Sequence, residues 1–177
     1  QVRAFNARSR AVRVLFVNQF GWDRASCGEW IPEEMHFGLL RQGSDVEFGQ
    51  SIYEPFGIAQ VEPLGFGAVS VVSDVCGCVG FVERSRPTES AYDGFIVAPY
   101  TKMAADSPDP VVPIGPEQVE WNEWTQSRAV AEALSQALLG GKRKRQARLQ
   151  NGFATASAMS WERVTTDWLM PVLERLE

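Results

Sequence analysis

Residues 45–73 read DVEFGQSIYEPFGIAQVEPLGFGAVSVVS, and the order of residue types along them decides the fold class. The opening DVEFGQS (45–51) and the closing AVSVVS (68–73) read as short strands, the latter rich in Val with little alternation. Strands covered on both faces of a parallel sheet look like this, because neither side of the pleat meets water. DVEFGQS is the weaker of the two, since Glu47, Gly49 and Gln50 interrupt it. Between them Pro55 and Gly57 mark a tight turn, and residues 57–65 read as a helix starting near Gly57. Strand, turn, helix and strand in this order form the unit of a layered α/β domain.

Outward from this unit, residues 12–17 (VRVLFV) and 94–98 (GFIVA) also read as buried strands. Helical windows lie at 33–42 and 128–139. Residues 100–124 hold Pro108, Pro110, Pro113 and Pro116 without a helical period and read as a long surface loop. After Gly140 and Gly141 the basic run 142–148 opens another helix, followed by one at 161–176. In that last helix Trp161, Val164, Trp168, Leu169, Val172 and Leu176 recur near helical spacing, so one face is apolar and calls for something to pack against. The chain shows no internal repeat. The expected fold is α/β, a Rossmann-like layered domain with a mainly parallel sheet flanked by helices. It forms one domain over residues 1–177, with a core at 12–140 and a helical tail at 142–177.

The chain has 177 residues, enough for one domain with its own core. Lys and Arg number 17 against 22 Asp and Glu, a net charge of −5. That sign argues against a nucleic-acid partner, whose phosphates need a positive surface. The basic run at 142–148 reads as a solvated helix face in an otherwise acidic chain. No stretch reaches the roughly 18–20 apolar residues of a membrane span, and the first residues show no signal-peptide core. Cys27, Cys76 and Cys78 are too few for a disulfide framework, and Cys76-Gly77-Cys78 has no second pair to complete a zinc site. They read as reduced structural thiols in a cytoplasmic protein. His36, the sole histidine, reads as a surface or half-buried residue.

The chemistry concentrates in residues 51–62, SIYEPFGIAQVE. In open α/β sheets ligands bind in the crevice at the carboxyl ends of the strands, where this turn falls. Backbone N–H groups of Phe56, Gly57 and Ile58 at a helix start suit an anion such as a pyrophosphate. Gly57, without a Cβ, lets that anion approach the backbone. Glu54 and Glu62 bracket the turn. Carboxylates repel phosphate, so they suit sugar hydroxyls, and the set together suits a sugar diphosphate. A strand-turn-helix with one Gly and two exposed Glu residues also arises with no ligand at all.

The spacing Glu54–Glu62 is an E-x7-E pattern, and S-I-Y-E-P-F-G-I-A-Q-V-E-P-L-G-F-G-A-V resembles the signature of retaining glycosyltransferases of the GT-B fold. The group it resembles is glycosyltransferase family 4, the glycogen synthase-like enzymes. The resemblance covers residues 45–97 well and continues more weakly through the Trp161 helix. It implies the C-terminal, donor-binding half of such an enzyme. Glu54 would lie near the reacting carbon of the donor sugar as the catalytic residue, as nucleophile or as electrostatic stabiliser. The amides of Phe56, Gly57 and Ile58 would hold the sugar and pyrophosphate, and Glu62 the ribose hydroxyls. The substrate would be a nucleoside diphosphate sugar, with no cofactor and no metal required. The glycan acceptor would be held by an N-terminal domain, onto which the last helix would cross.

Three features depart from that signature. Pro63 stands where Ala is usual, which costs roughly 3 kcal/mol in a helix interior unless a kink relieves it. Ser73-Asp74-Val75-Cys76-Gly77-Cys78 replaces a glycine-rich loop, with Gly77 and Gly80 as partial substitutes. The first βα unit, with the Arg and Lys that neutralise the diphosphate, has no counterpart, since Arg13 lies inside the 12–17 segment and Arg24 matches no motif. The chain is therefore expected to be a fragment or truncated relative, not competent in transfer by itself. A second reading is a non-catalytic nucleotide-sugar-binding or partner module that docks its last helix on another subunit. A sugar epimerase of similar fold would be expected to bring more histidine chemistry. Asn18, Gln19, Phe20, Gly21 and Trp22 are candidates to line a base pocket, with Trp22 equally a core candidate.

Overall fold

A computed structural model of the chain describes residues 1–17, 32–51, 54–86, 94–100 and 115–176. They fall into two compact units, Gln1–Gly43 and Ser44–Glu177.

The first unit contains helices α1 (Val2–Arg8) and α2 (Phe37–Gly43). The helix expected over 33–42 begins later. Residues 33 and 34 form a turn closed by the Met35 amide on the Pro32 carbonyl, and exposed His36 offers its carbonyl to Leu39 and Leu40 at the helix start. Arg41 then stacks over the Phe37 ring at 4.6 Å, one helical turn back. The strand expected over 12–17 does not form. Val14 spends both its backbone groups on the Asn6 side-chain amide, each bond 2.8 Å long. Phe16 is 72% exposed. An extended segment without a neighbouring strand has no ladder to stabilise it, whatever its Val and Phe content.

The second unit is α/β. Strands β1 (Val46–Gly49), β2 (Val69–Ser73) and β3 (Phe95–Ala98) form a parallel sheet in the order β1-β2-β3. Val46 pairs with Val69, and Ser70 with Phe95. Helices α3 (Ile58–Val61), continued as a 3-10 turn over Glu62–Phe66, and α4 (Cys78–Ser85) connect the strands. They are followed by α5 (Pro116–Leu138) and α6 (Lys142–Ser157). The tail runs as α7 (Trp161–Val164), a π-helical turn Thr165–Leu169, and α8 (Met170–Leu173). The expected layered arrangement is therefore present, a Rossmann-like parallel sheet flanked by helices.

Alternation along β2 explains why it reads as apolar throughout. Val72 joins Val61, Leu64, Cys76, Cys78 and Val82 in one core cluster, which Ala156 of α6 helps to cover. Its neighbour Val71 points into a second cluster with Ala98 and Val130 of α5. With both faces covered, all five β2 residues are buried, including Ser70 and Ser73. The Ser70 hydroxyl is satisfied by donating to the Gln60 carbonyl at 2.7 Å.

The loop expected over 100–124 is corrected for its second half, which forms the first turns of α5. Pro116 occupies the first helical turn, where its missing N–H and fixed φ cost nothing. Asn122 is buried there and donates to the Tyr100 carbonyl at 3.1 Å, while Trp121 and Trp124 face solvent. That mixture hides the helical period. Residues 101–114 lie outside the described residues. The basic run at 142–148 does open α6, but Arg148 is buried, not solvated. Its Nε donates to the Gly67 carbonyl and its Nη1 to that of Ala137, both at 2.8 Å.

Candidate functional site

Beyond Gly49 the chain reaches Glu54, which forms an isolated parallel bridge with Cys76, three residues past the end of β2. The Gly77 amide donates to the Glu54 carbonyl at 3.0 Å. Pairing between the two segments thus resumes beyond β1 and β2, at the carboxyl edge of the sheet. The crossing is tight: a Cβ on Gly77 would lie 1.9 Å from the Pro55 carbonyl oxygen.

The turn then reverses through Gly57, whose φ of 92° is left-handed and favours glycine. A Cβ there would stand 2.6 Å from the Cys76 sulfur. The amides of Phe56, Gly57 and Ile58 enter no turn or loop hydrogen bond among the described residues. Phe56 is half-buried and meets the Phe81 ring edge to face, with centroids 5.5 Å apart, while Ile58 is exposed. The buried Gln60 side chain lies against Gly49 and Gly57.

Glu62 lies one turn beyond Ile58 and is exposed. Its amide bonds to the Ile58 carbonyl, closing α3. Pro63 has no N–H to continue an α-helix, and the backbone tightens to 3-10 from Glu62 onward. The expected helix over 57–65 is thus split at that point, which relieves the cost of proline. Glu54, Phe56, Gly57 and Ile58 share one turn, with Glu62 one helical turn away. Ile52 and Tyr53 of the same motif lie outside the described residues, as do residues 18–22, Arg24 and Cys27.

Beneath the turn, the Cys76 and Cys78 thiols are free, buried and 3.2 Å apart. Burial first, then hydrogen bonding and charge from Cys76, push the Cys78 thiol far above its ordinary value of 9.0. The Glu54 carboxylate adds to that rise. Two further residues at the carboxyl edge escape sequence reasoning. The Gln50 Nε2 donates to the Tyr100 hydroxyl at 2.5 Å, joining the ends of β1 and β3. Burial raises the Tyr100 hydroxyl above its ordinary value and the Glu123 charge adds to this, while the Gln50 bond works the other way. The signal that could have found them is position, since each closely follows a strand.

Chemically, the amides of this turn suit an anion, and a carboxylate such as that of Glu54 suits hydroxyl groups. Among the described residues no cluster of three or more His, Cys, Asp or Glu is placed to hold a metal. No helix among them is long and apolar enough to cross a membrane. No protein-family model matches the chain, and no curated protein matches it.

Proposed function

We propose that the chain is a nucleotide-sugar donor-binding domain similar to that of the family 4 retaining glycosyltransferases. The observation that supports this reading most is the turn at residues 54–58: left-handed Gly57 sets three uncommitted amides at the carboxyl edge of a parallel sheet, directly after Glu54. In this proposal the amides of Phe56, Gly57 and Ile58 donate to the diphosphate and sugar oxygens, and Glu62 accepts from the ribose hydroxyls. Glu54 faces the reacting carbon of the sugar. Departure of a nucleoside diphosphate needs positive charge that these residues do not supply. Little or no sugar transfer is therefore expected from this chain by itself.

Calorimetric titration with UDP, ADP and GDP tests the reading. Micromolar binding of one nucleotide, lost in Glu62→Ala, supports it, and no binding to any of the three overturns it for the isolated chain.

The second reading, a non-catalytic module docking on another subunit, draws on the tail. Trp161 is 86% and Trp168 71% exposed, and Leu169, Val172 and Leu176 are exposed beside them. Light scattering of the chain alone and with a candidate partner distinguishes this reading from the first.

A further inference from the structure

We propose that Cys76 and Cys78 form a reversible dithiol–disulfide pair whose oxidation reshapes the turn at residues 54–57. The two sulfurs share a thiol–thiol hydrogen bond and lie 3.2 Å apart. Gly77, between the two cysteines, has helical φ and ψ of −61° and −21°. Helical rise and radius put the α-carbons flanking such a residue about 5.4 Å apart. That separation falls inside the roughly 4.4–6.8 Å window of disulfides. Closing the bond therefore needs side-chain rotation and little backbone travel.

The pair is coupled to the turn at three points. The Cys76 thiol donates to the Phe56 carbonyl at 3.3 Å, a bond that disappears once the sulfur has no proton. The Cys76 sulfur also fills the space beneath Gly57, so any shift of it is felt there. Finally, Gly77, whose amide bonds the Glu54 carbonyl, becomes part of the small ring the disulfide closes. Gly77 is itself exposed, which puts the pair one residue below solvent, although Cys76 is only 2% and Cys78 0% exposed.

The oxidant is a small peroxide. The Cys76 sulfur attacks one peroxide oxygen, the O–O bond breaks, and Cys76 becomes a sulfenic acid while the other oxygen takes the Cys76 thiol proton and leaves as water. Cys78 sulfur then attacks the Cys76 sulfur. The S–S bond forms, the S–O bond breaks, and hydroxide takes the Cys78 proton to leave as a second water. Two thiols and one hydrogen peroxide thus give one disulfide and two waters. Cys78 takes the second role because its sulfur lies 3.2 Å from that of Cys76. A disulfide in so small a ring is strained, and strained disulfides are the reducible ones.

The test uses the full chain carrying Cys27→Ser, so that no other thiol can pair. The protein is treated with hydrogen peroxide and read by intact mass, peptide mapping and amide exchange. The expected result is a loss of two hydrogens that maps to Cys76 and Cys78, reversed by dithiothreitol, with severalfold faster exchange at residues 54–57. Cys78→Ser should instead gain oxygen at Cys76. Added oxygen in place of lost hydrogen in the Cys27→Ser chain overturns the proposal. So does a disulfide that leaves exchange at residues 54–57 unchanged. Neither readout involves nucleotide, so the outcome is independent of the donor-binding proposal.

Discussion

Gly77 lies so close beneath Pro55 that a methyl group on its Cα would stand 1.9 Å from the Pro55 carbonyl oxygen. The contact is backbone against backbone, with no side chain able to rotate aside. Gly77→Ala is therefore expected to lift the turn at residues 54–57 away from Cys76. The cost should reach at least the ~1–3 kcal/mol of an overpacked site. In a chain of this size that lowers the melting temperature by about 2–12 °C. Thermal unfolding checks it, and an unchanged melting temperature would refute the tight crossing.

Arg148 gives a second prediction. Arg148→Met keeps much of the bulk but leaves the Gly67 and Ala137 carbonyls without their donor. The Ala137 carbonyl is buried, and leaving it unsatisfied costs about 1–3 kcal/mol, while the part-buried Gly67 carbonyl costs less. Arg148→Lys keeps the charge yet cannot fork between two acceptors, so it should recover only part of the loss. Urea unfolding midpoints should rank wild type, Lys and Met in that order.

The buried Cys78 thiol predicts a pH dependence. Its folded-state value lies above the 9.0 of the unfolded chain. Below pH 9 both states hold the proton, and the contribution of the thiol to stability is fully present. Above pH 9 the unfolded chain releases its proton while the folded chain retains it, so stability falls as pH rises. Cys78→Ala has no thiol to titrate, and its stability should decline less steeply than wild type above pH 9. Parallel slopes from pH 8 to 11 would count against it.

Trp168 faces water, so Trp168→Ala should change stability by no more than about 0.5 kcal/mol. Any self-association or partner binding through the tail should weaken strongly, because a large exposed aromatic ring contributes most where it becomes buried. Light scattering and thermal melts on the same preparation separate the two effects.

The central strand β2 was legible because both of its faces are covered. Phe48 of β1 and Val97 of β3 are exposed, and those strands were legible from their Val, Ile and Phe content. Val71 and Val72 serve opposite clusters, so β2 has no polar side to show. Residues 12–17 carry a similar composition and form no strand, with Val12, Val14 and Phe16 exposed, because Val and Phe content says nothing about whether a neighbouring strand exists. The first turns of α5 were hidden by Pro116, which marks a helix start as readily as a loop. At the candidate site, Gly57 was legible as a turn glycine. The demand on Gly77 was not, since it arises from Pro55, more than twenty positions earlier in the chain. The Gln50–Tyr100 bond spans fifty positions and leaves no local trace.

Arg148 reaches back eleven positions to Ala137 and eighty-one to Gly67. It therefore fastens α6 to its neighbours through space, independently of the Gly140-Gly141 link that joins α5 to α6. Cutting the polypeptide at that link and sealing it elsewhere should leave α6 in its seat. The order of these helices along the chain is thus separable from their order in the folded molecule, which makes residues 140 and 141 a natural place for new termini or an inserted domain.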